Sequence, residues 1–241
     1  MVETDERATL VLFVHNMTVN NSVEPRTPAL YIRDKPIYLE EDWDHGIGGG
    51  LWSTGLALAK YFGTPHAYQQ LKRRKRVLEL GSGNGFLGVC VSAAAPGLDV
   101  VITDTKEHLP LMEKTLRANS HVWDGFDDQE GKKRRECLVK EYLWGTEYQK
   151  EKGEASFDLI IGSDLAYRDE LHDPLIFSIL HLSTPTTITL LGVTHLDTKP
   201  IFFSKLHQAG LRYERLADHL IDPNFRGTNF GIFAIQKEQK L

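Results

Sequence analysis

Glu79, Gly81, Gly83 and Gly85 occupy alternate positions of VLELGSGNGFLG (77–88), directly after an apolar run. An acid followed by three spaced glycines lets main chain approach a ligand closely. The free N–H groups and positive end of a following helix then converge on one spot, which favours an anion or a carboxylate. Two patterns fit. Gly81, Gly83 and Gly85 make the GxGxG of adenosylmethionine-binding enzymes, while Gly83, Gly85 and Gly88 satisfy the GxGxxG of dinucleotide binders. In the dinucleotide scheme the first glycine follows the strand directly, which makes it Gly81 and puts Phe86 where a helix must approach a pyrophosphate. Glu79 would repel that diphosphate in a dry crevice but suits a ligand ammonium. Asp104, at the end of the next apolar run, suits a ribose diol in either scheme. The balance falls on adenosylmethionine.

Such a loop needs a scaffold that delivers several strand ends to one edge. Val-, Ile- and Leu-rich runs at 76–81, 99–104, 137–144, 157–164 and 186–193 read as buried strands. Between them, 86–95, 106–120 and 170–182 carry helical periodicity, and 200–210 follows as a further helix. That alternation predicts a parallel sheet covered on both faces. The last two strands, LRYERLAD (211–218) and NFGIFAIQK (229–237), are separated by HLIDPNFRGT, which holds Pro and Gly but no helix. A parallel crossover needs a dozen or more residues, so this pair is expected as an antiparallel hairpin. The predicted fold is therefore α/β: an open, Rossmann-like sheet of seven strands with an antiparallel C-terminal hairpin, as in class I methyltransferases.

Upstream, ATLVLFVHN and ALYIRDKPIYLEED within residues 8–40 alternate as a small β-meander around Arg33-Asp34-Lys35-Pro36. DHGIGGGLWSTGLALAKYF (44–62) runs through glycines into a helix, with Ser53 or Thr54 as the expected N-cap. The expected organisation is an N-terminal β extension, 1–43, and one adenosylmethionine-binding domain, 44–241. LKRRKR (71–76) reads as a solvated lead-in rather than a nuclear signal or phosphate patch, and the charged 124–136 insertion as a mobile loop.

Composition removes other classes. With 241 residues, 41% of them hydrophobic, one domain can bury a sizeable core. Cys90 and Cys137 form no CxxC pair, so neither a disulfide framework nor a zinc cluster is expected, and a reducing, cytoplasmic setting is. The nucleus is kept as a second compartment. No apolar run approaches the ~18 residues of a membrane span, and a formal charge of −5 speaks against nucleic acid. The ten histidines are dispersed without metal-ligand spacing, so no metal is expected. HExxH, GxSxG and P-loop patterns are missing.

In order along the chain, GLWSTGLALAKY, VLELGSGNG, VITD, KEYLWG and FDLIIGSDLAYRDE resemble the seven-β-strand protein methyltransferases of the methyltransferase-like 21 group, methyltransferase family 16. The likeness spans roughly 37–237 and implies S-adenosyl-L-methionine as cofactor and a protein substrate. Members of the group methylate lysines on chaperones, an AAA ATPase and translation elongation factors. By this resemblance Trp52 packs against the cofactor, and Gly81, Ser82 and Gly83 wrap its methionine and ribose. Asp104 takes the ribose hydroxyls, Trp144 lies beside the adenine, and Ser163 lines the cofactor at the end of the fourth strand. Asp164 and Tyr167 form the family's Asp-x-x-Tyr element and are the expected catalytic residues.

Methyl transfer from a sulfonium is an in-line displacement that needs a neutral amine lone pair aligned with the methyl carbon. Asp164 is expected to orient the amine and Tyr167 to wall the crevice, helping it shed water and a proton. Alternatively, Asp164 caps a helix and Tyr167 is a packing aromatic. After the fifth strand, lysine-modifying relatives often carry a tyrosine, acid and arginine cluster, where this chain has Thr194, His195 and Asp197. A histidine, an arginine or a small metabolite as nucleophile therefore stays open, as does a non-catalytic module that retains the cofactor fold.

Overall fold

The computed structural model describes residues 26–123, 137–150, 153–227 and 229–238. The expected strand ATLVLFVHN and the 124–136 insertion lie outside those residues. The elements are β1 (Leu30–Ile32), β2 (Lys35–Ile37), α1 (Ser53–Phe62), α2 (Pro65–Leu71), β3 (Arg76–Glu79), α3 (Phe86–Ala94), β4 (Asp99–Asp104), α4 (Leu109–Ala118), β5 (Leu138–Glu141), β6 (Leu159–Ser163), α5 (Asp169–Leu182), β7 (Ile188–Thr194), α6 (Pro200–Gln208), β8 (Leu211–Arg215) and β9 (Phe230–Lys237).

Seven strands form one sheet in the order β5-β4-β3-β6-β7-β9-β8. The first five run parallel, and β9 is antiparallel to both β7 and β8. The expected final hairpin is thus present, and its last strand inserts beside β7. The chain leaves the centre at β3, builds outward to β5, then returns to β6 on the other side of β3. This reversal opens a crevice at the carboxyl ends of β3 and β6, where open α/β sheets take ligands.

Because the side-chain period of a strand is two, β3 and β4 feed both faces of the sheet. Val77, Val100 and Ile102 enter one core, shared with α1, α3 and the β1–β2 hairpin. Leu78, Leu80 and Val101 enter the other, shared with α5 and α6. Ile32 and Ile37 anchor the hairpin in the first core. Arg76 is fixed at the start of β3 by Asp99 and Glu154, with its guanidinium over the Phe157 ring.

Several boundaries differ from expectation for local reasons. A helix at 65–71, not foreseen, starts where the Thr64 hydroxyl accepts from the Ala67 N–H and Pro65 fills the first turn. The helix expected over 106–120 begins as a short 3₁₀ turn at 106–108, and α4 proper follows with Pro110 in its first turn. Neither Ser53 nor Thr54 caps α1. The N-cap position is Trp52, with no side-chain cap; Ser53 and Thr54 lie inside the first turn, and the Thr54 hydroxyl donates to Asp164.

Candidate active site

The glycine loop leaves β3 at Gly81 and enters α3 at its N-cap, Gly85. Gly81, Gly83 and Gly85 all take positive φ, at 58°, 58° and 81°, a region that costs a side chain strain. A Cβ on Gly81 would lie 2.7 Å from both Trp144 and Leu165, and one on Gly83 would collide with the carbonyl oxygen of Gly48. The loop is therefore hemmed in on both sides. Trp144 stands against Gly81, and a strap of 3₁₀ helix at Trp43–Gly49 lies across Gly83. Gly88, inside α3, lets that helix close onto Ile102 of β4.

Asp104 closes the loop's open side. Its Oδ2 accepts from the Gly83 N–H at 2.7 Å and its Oδ1 from the Thr105 N–H at 2.7 Å. His108 lies against it, Nδ1 to Oδ1 at 3.1 Å. Asn84, also in the loop, accepts from the Phe86 N–H. Its buried Nδ2 has no hydrogen-bond partner among the described residues.

Glu79 lies buried beneath the loop. It is only 2% exposed, accepts from the Ser82 hydroxyl at 2.7 Å, and lies close under Gly88. Burial pushes its carboxyl from 4.5 up to about 8, against the opposing Ser82 and Gly88 hydrogen bonds. The carboxyl braces the loop from beneath through Ser82. β3 ends in a turn that folds back over its own last residue, and alternation along the strand sends Glu79 into the α3 side.

On the neighbouring strand, β6 runs parallel to β3 with Glu79 opposite Ile161, so Ser163 and Asp164 emerge beside the glycine loop. The Ser163 hydroxyl lies 3.2 Å from where a Cβ would sit on Gly55 of α1. Asp164 has φ 53°, a left-handed conformation for a non-glycine residue. Its N–H donates to the Gly192 carbonyl at 2.8 Å and its Oδ2 accepts from the Thr54 hydroxyl at 2.6 Å. Its Oδ1 is buried with no hydrogen-bond partner among the described residues. Burial raises its pKa above the ordinary carboxylate value, with the Thr54 hydroxyl opposing. Asp164 is not a helix cap, since α5 begins five residues later, at Asp169.

Tyr167 is 37% exposed with the Arg168 guanidinium 5.4 Å from its ring, so it is not packed in the core. Trp52 is 43% exposed; its indole N–H donates to the Ile47 carbonyl at 2.9 Å, and its ring meets Trp43 edge-on. The fold thus gathers Gly81, Gly83, Asp104 and Trp144 around one loop and sets Ser163 and Asp164 beside it. Trp52, at the N-cap of α1, is tied to the strap that crosses that loop through Ile47 and Trp43.

The decisive observation comes from comparison. Residues 32–209 match the lysine methyltransferase family. The chain belongs to that family. Protein N-lysine methyltransferase METTL21A of Danio rerio is 31% identical over 65% of this chain and 65% of its own length. EEF1A lysine methyltransferase 3 of Mus musculus is 30% identical over 58% of this chain and 53% of its own. The chain spans just under two thirds and about half of these two curated relatives. A third, protein-lysine N-methyltransferase EFM6 of Saccharomyces cerevisiae, is 24% identical over 69% of this chain and 72% of its own. Among solved structures, a TehB-like SAM-dependent methyltransferase from Corynebacterium glutamicum superposes with a TM-score of 0.52 at 16% identity, covering 82% of this chain and 94% of that one. That likeness shows the class I fold.

S-adenosyl-L-methionine is the cofactor that the family and fold imply. The residues present fit it. Asp104 offers carboxylate oxygens at a strand end, the Trp144 indole lies against Gly81, and the loop holds an orphaned Asn84 donor at the positive end of α3.

Two partners in the site were not read from sequence. Thr54 holds Asp164 from 110 positions away, and His108 holds Asp104. For His108 a signal exists: a histidine four residues after an acid at a strand end can turn back onto it. For Thr54 there is none, because the contact depends on how α1 crosses the sheet.

Proposed function

We propose that this chain is an S-adenosyl-L-methionine-dependent methyltransferase that modifies a lysine side chain of another protein. The observation that carries the reading is Asp164: a buried carboxylate with one unpartnered oxygen, held at the end of β6 beside the glycine loop of β3. The names of the curated relatives, all protein-lysine methyltransferases, support it. A translation elongation factor is the first substrate to test, since one relative is named an EEF1A methyltransferase; chaperones and an AAA ATPase follow.

When bound, the cofactor supplies an electrophilic methyl group on a sulfonium. Trp52, Gly81, Ser82, Gly83, Asp104, Trp144 and Ser163 bind and orient it. Glu79 contributes indirectly, by bracing Ser82. Asp164 accepts a hydrogen bond from the incoming ammonium and orients the amine, while Tyr167 walls the crevice and excludes water. A free lysine amine titrates near ~10.4, so the reaction needs a neutral lone pair prepared within the site. Partial dehydration lowers the amine pKa, and the proton leaves through water. The catalytic unit in this proposal is 44–241, with 1–43 as an extension, and the setting is cytoplasmic, in keeping with two free, buried thiols.

A second reading, methylation of another nucleophile, rests on the segment after β7. There the Thr194 hydroxyl donates to Asp197 at 2.9 Å, and the His195 ring packs edge-on against Phe233 at 6.0 Å. Calorimetric titration with S-adenosylmethionine, S-adenosylhomocysteine and NAD, alongside Asp104→Ala, tests the cofactor assignment. Tritiated-methyl transfer to cell extract and to purified elongation factor, followed by hydrolysis of the product, tests the substrate. Methyl-lysine supports the proposal; methyl-histidine or methyl-arginine replaces it with the second reading; NAD binding overturns both.

A further inference from the structure

Resting on the reading above, we infer that Thr54 is the positioning residue of Asp164, fixing one carboxylate oxygen so that the other is presented to the substrate amine.

Thr54 lies in the first turn of α1 and is only 1% exposed. Its hydroxyl donates to Asp164 Oδ2 at 2.6 Å, a short bond of the kind made to an ionised acceptor. The opposite side of Thr54 is set by β7: a Cβ on Gly192 would stand 2.9 Å from the Thr54 Cβ. The same Gly192 accepts the Asp164 N–H at 2.8 Å. One glycine therefore anchors the Asp164 main chain and leaves room for the threonine that anchors its side chain.

Asp164 is thus constrained three times over, by its left-handed backbone, by Gly192 and by Thr54. A non-glycine residue keeps such a backbone only where its surroundings over-determine it. What remains unpartnered among the described residues is Oδ1.

The hydroxyl has a second effect. A hydrogen bond to a carboxylate favours its charged form, whereas burial favours the neutral one. An ammonium is held by a carboxylate, not by a carboxylic acid, and the Thr54 hydroxyl opposes the rise that burial causes in Asp164, with smaller help from the main-chain N–H groups of Thr54 and Thr194. The groups that act on Asp164 from neighbouring elements are Thr54 on α1, Thr194 at the end of β7 and Asp197 just beyond it. Asp197 is the charged one, and it opposes ionisation. Thr54, with the main chain of Thr194, acts against that repulsion.

Thr54→Val keeps the shape and removes the hydroxyl, and Thr54→Ser restores a donor. The protein labelled with ¹³C at aspartate carboxyls is titrated, with Asp164→Asn identifying the signal, and the pH profile of kcat is recorded on the substrate the extract screen yields. In the valine variant the Asp164 midpoint and the acidic limb of kcat are expected to move up by about one pH unit. Melting and cofactor affinity should stay near wild type, and serine should restore the profile. A folded valine variant whose Asp164 midpoint does not move overturns the inference. The underlying reading fails separately: Asp164→Asn with wild-type turnover removes the role of Asp164, whatever valine does to the titration. The carboxyl titration decides the Thr54 inference even if no substrate is found.

Discussion

The Nδ1 of His108 lies 3.1 Å from Oδ1 of Asp104, and its Nε2 lies 3.1 Å from the main-chain oxygen of His45. Both partners are acceptors, so the ring serves both at once only as an imidazolium. Asp104 is the main cause of the raised His108 pKa, with burial opposing.

The sign of the resulting pH dependence is fixed. A histidine raised by its partner contributes stability that is fully present below its unfolded value of about 6.5 and is lost as pH climbs through the higher folded value. His108→Gln is expected to cost about 0.5–1 kcal/mol near pH 5.5, screening included, and progressively less toward pH 9. Melting curves of both proteins across that range check it. A gap that widens with pH would mean that His108 works as a neutral ring.

Glu79 supplies a larger test of the same sign. Its folded pKa of about 8 exceeds the unfolded 4.5, so between those values the native state binds the extra proton and stability falls as pH rises. Glu79→Gln removes the titration while keeping an acceptor for Ser82. The variant is expected to gain on wild type from pH 5 to pH 8, by up to about 4 kcal/mol at the upper end. Parallel pH–stability curves would show that the carboxyl ionises freely.

Gly83→Ala meets two obstacles, a positive φ and the Gly48 carbonyl. The strap must lift or the loop must twist, at a cost of about 1–3 kcal/mol. Calorimetry should show adenosylmethionine affinity reduced by about tenfold or more. Affinity within twofold of wild type would remove the strap from the cofactor site.

Tyr167 separates a wall from a proton carrier. Tyr167→Phe is expected to keep kcat within about threefold, and Tyr167→Ala to lower it by at least about tenfold with cofactor affinity unchanged. A phenylalanine variant as poor as alanine would give the hydroxyl a role in the chemistry.

The sheet was legible because its strands are continuous Val, Ile and Leu runs separated by helices, and because HLIDPNFRGT is too poor a helix former to carry a parallel crossover. The glycine loop was legible from spacing alone, since positive φ at 81, 83 and 85 leaves little choice of residue. The depth of Glu79's burial was not. Alternation assigns a strand residue to a face, but the turn that follows decides whether that face is crevice or core. Ser53 or Thr54 was expected as a helix cap because both residue types commonly cap; the Thr54 hydroxyl instead donates to a buried carboxylate 110 positions away. Such contacts depend on helix placement, which local sequence does not encode.

The first turn of α1 touches both halves of the site. Trp52 precedes it, Thr54 holds Asp164, and Gly55 faces Ser163. One turn spans about 5.4 Å, and on the function proposed above it would act as a stiff gauge between the place where a methyl group is given and the place where it is received. Because Thr54 and Gly55 are consecutive residues of one helix, the gap that a methyl group must cross in that proposal is set by a single helix end.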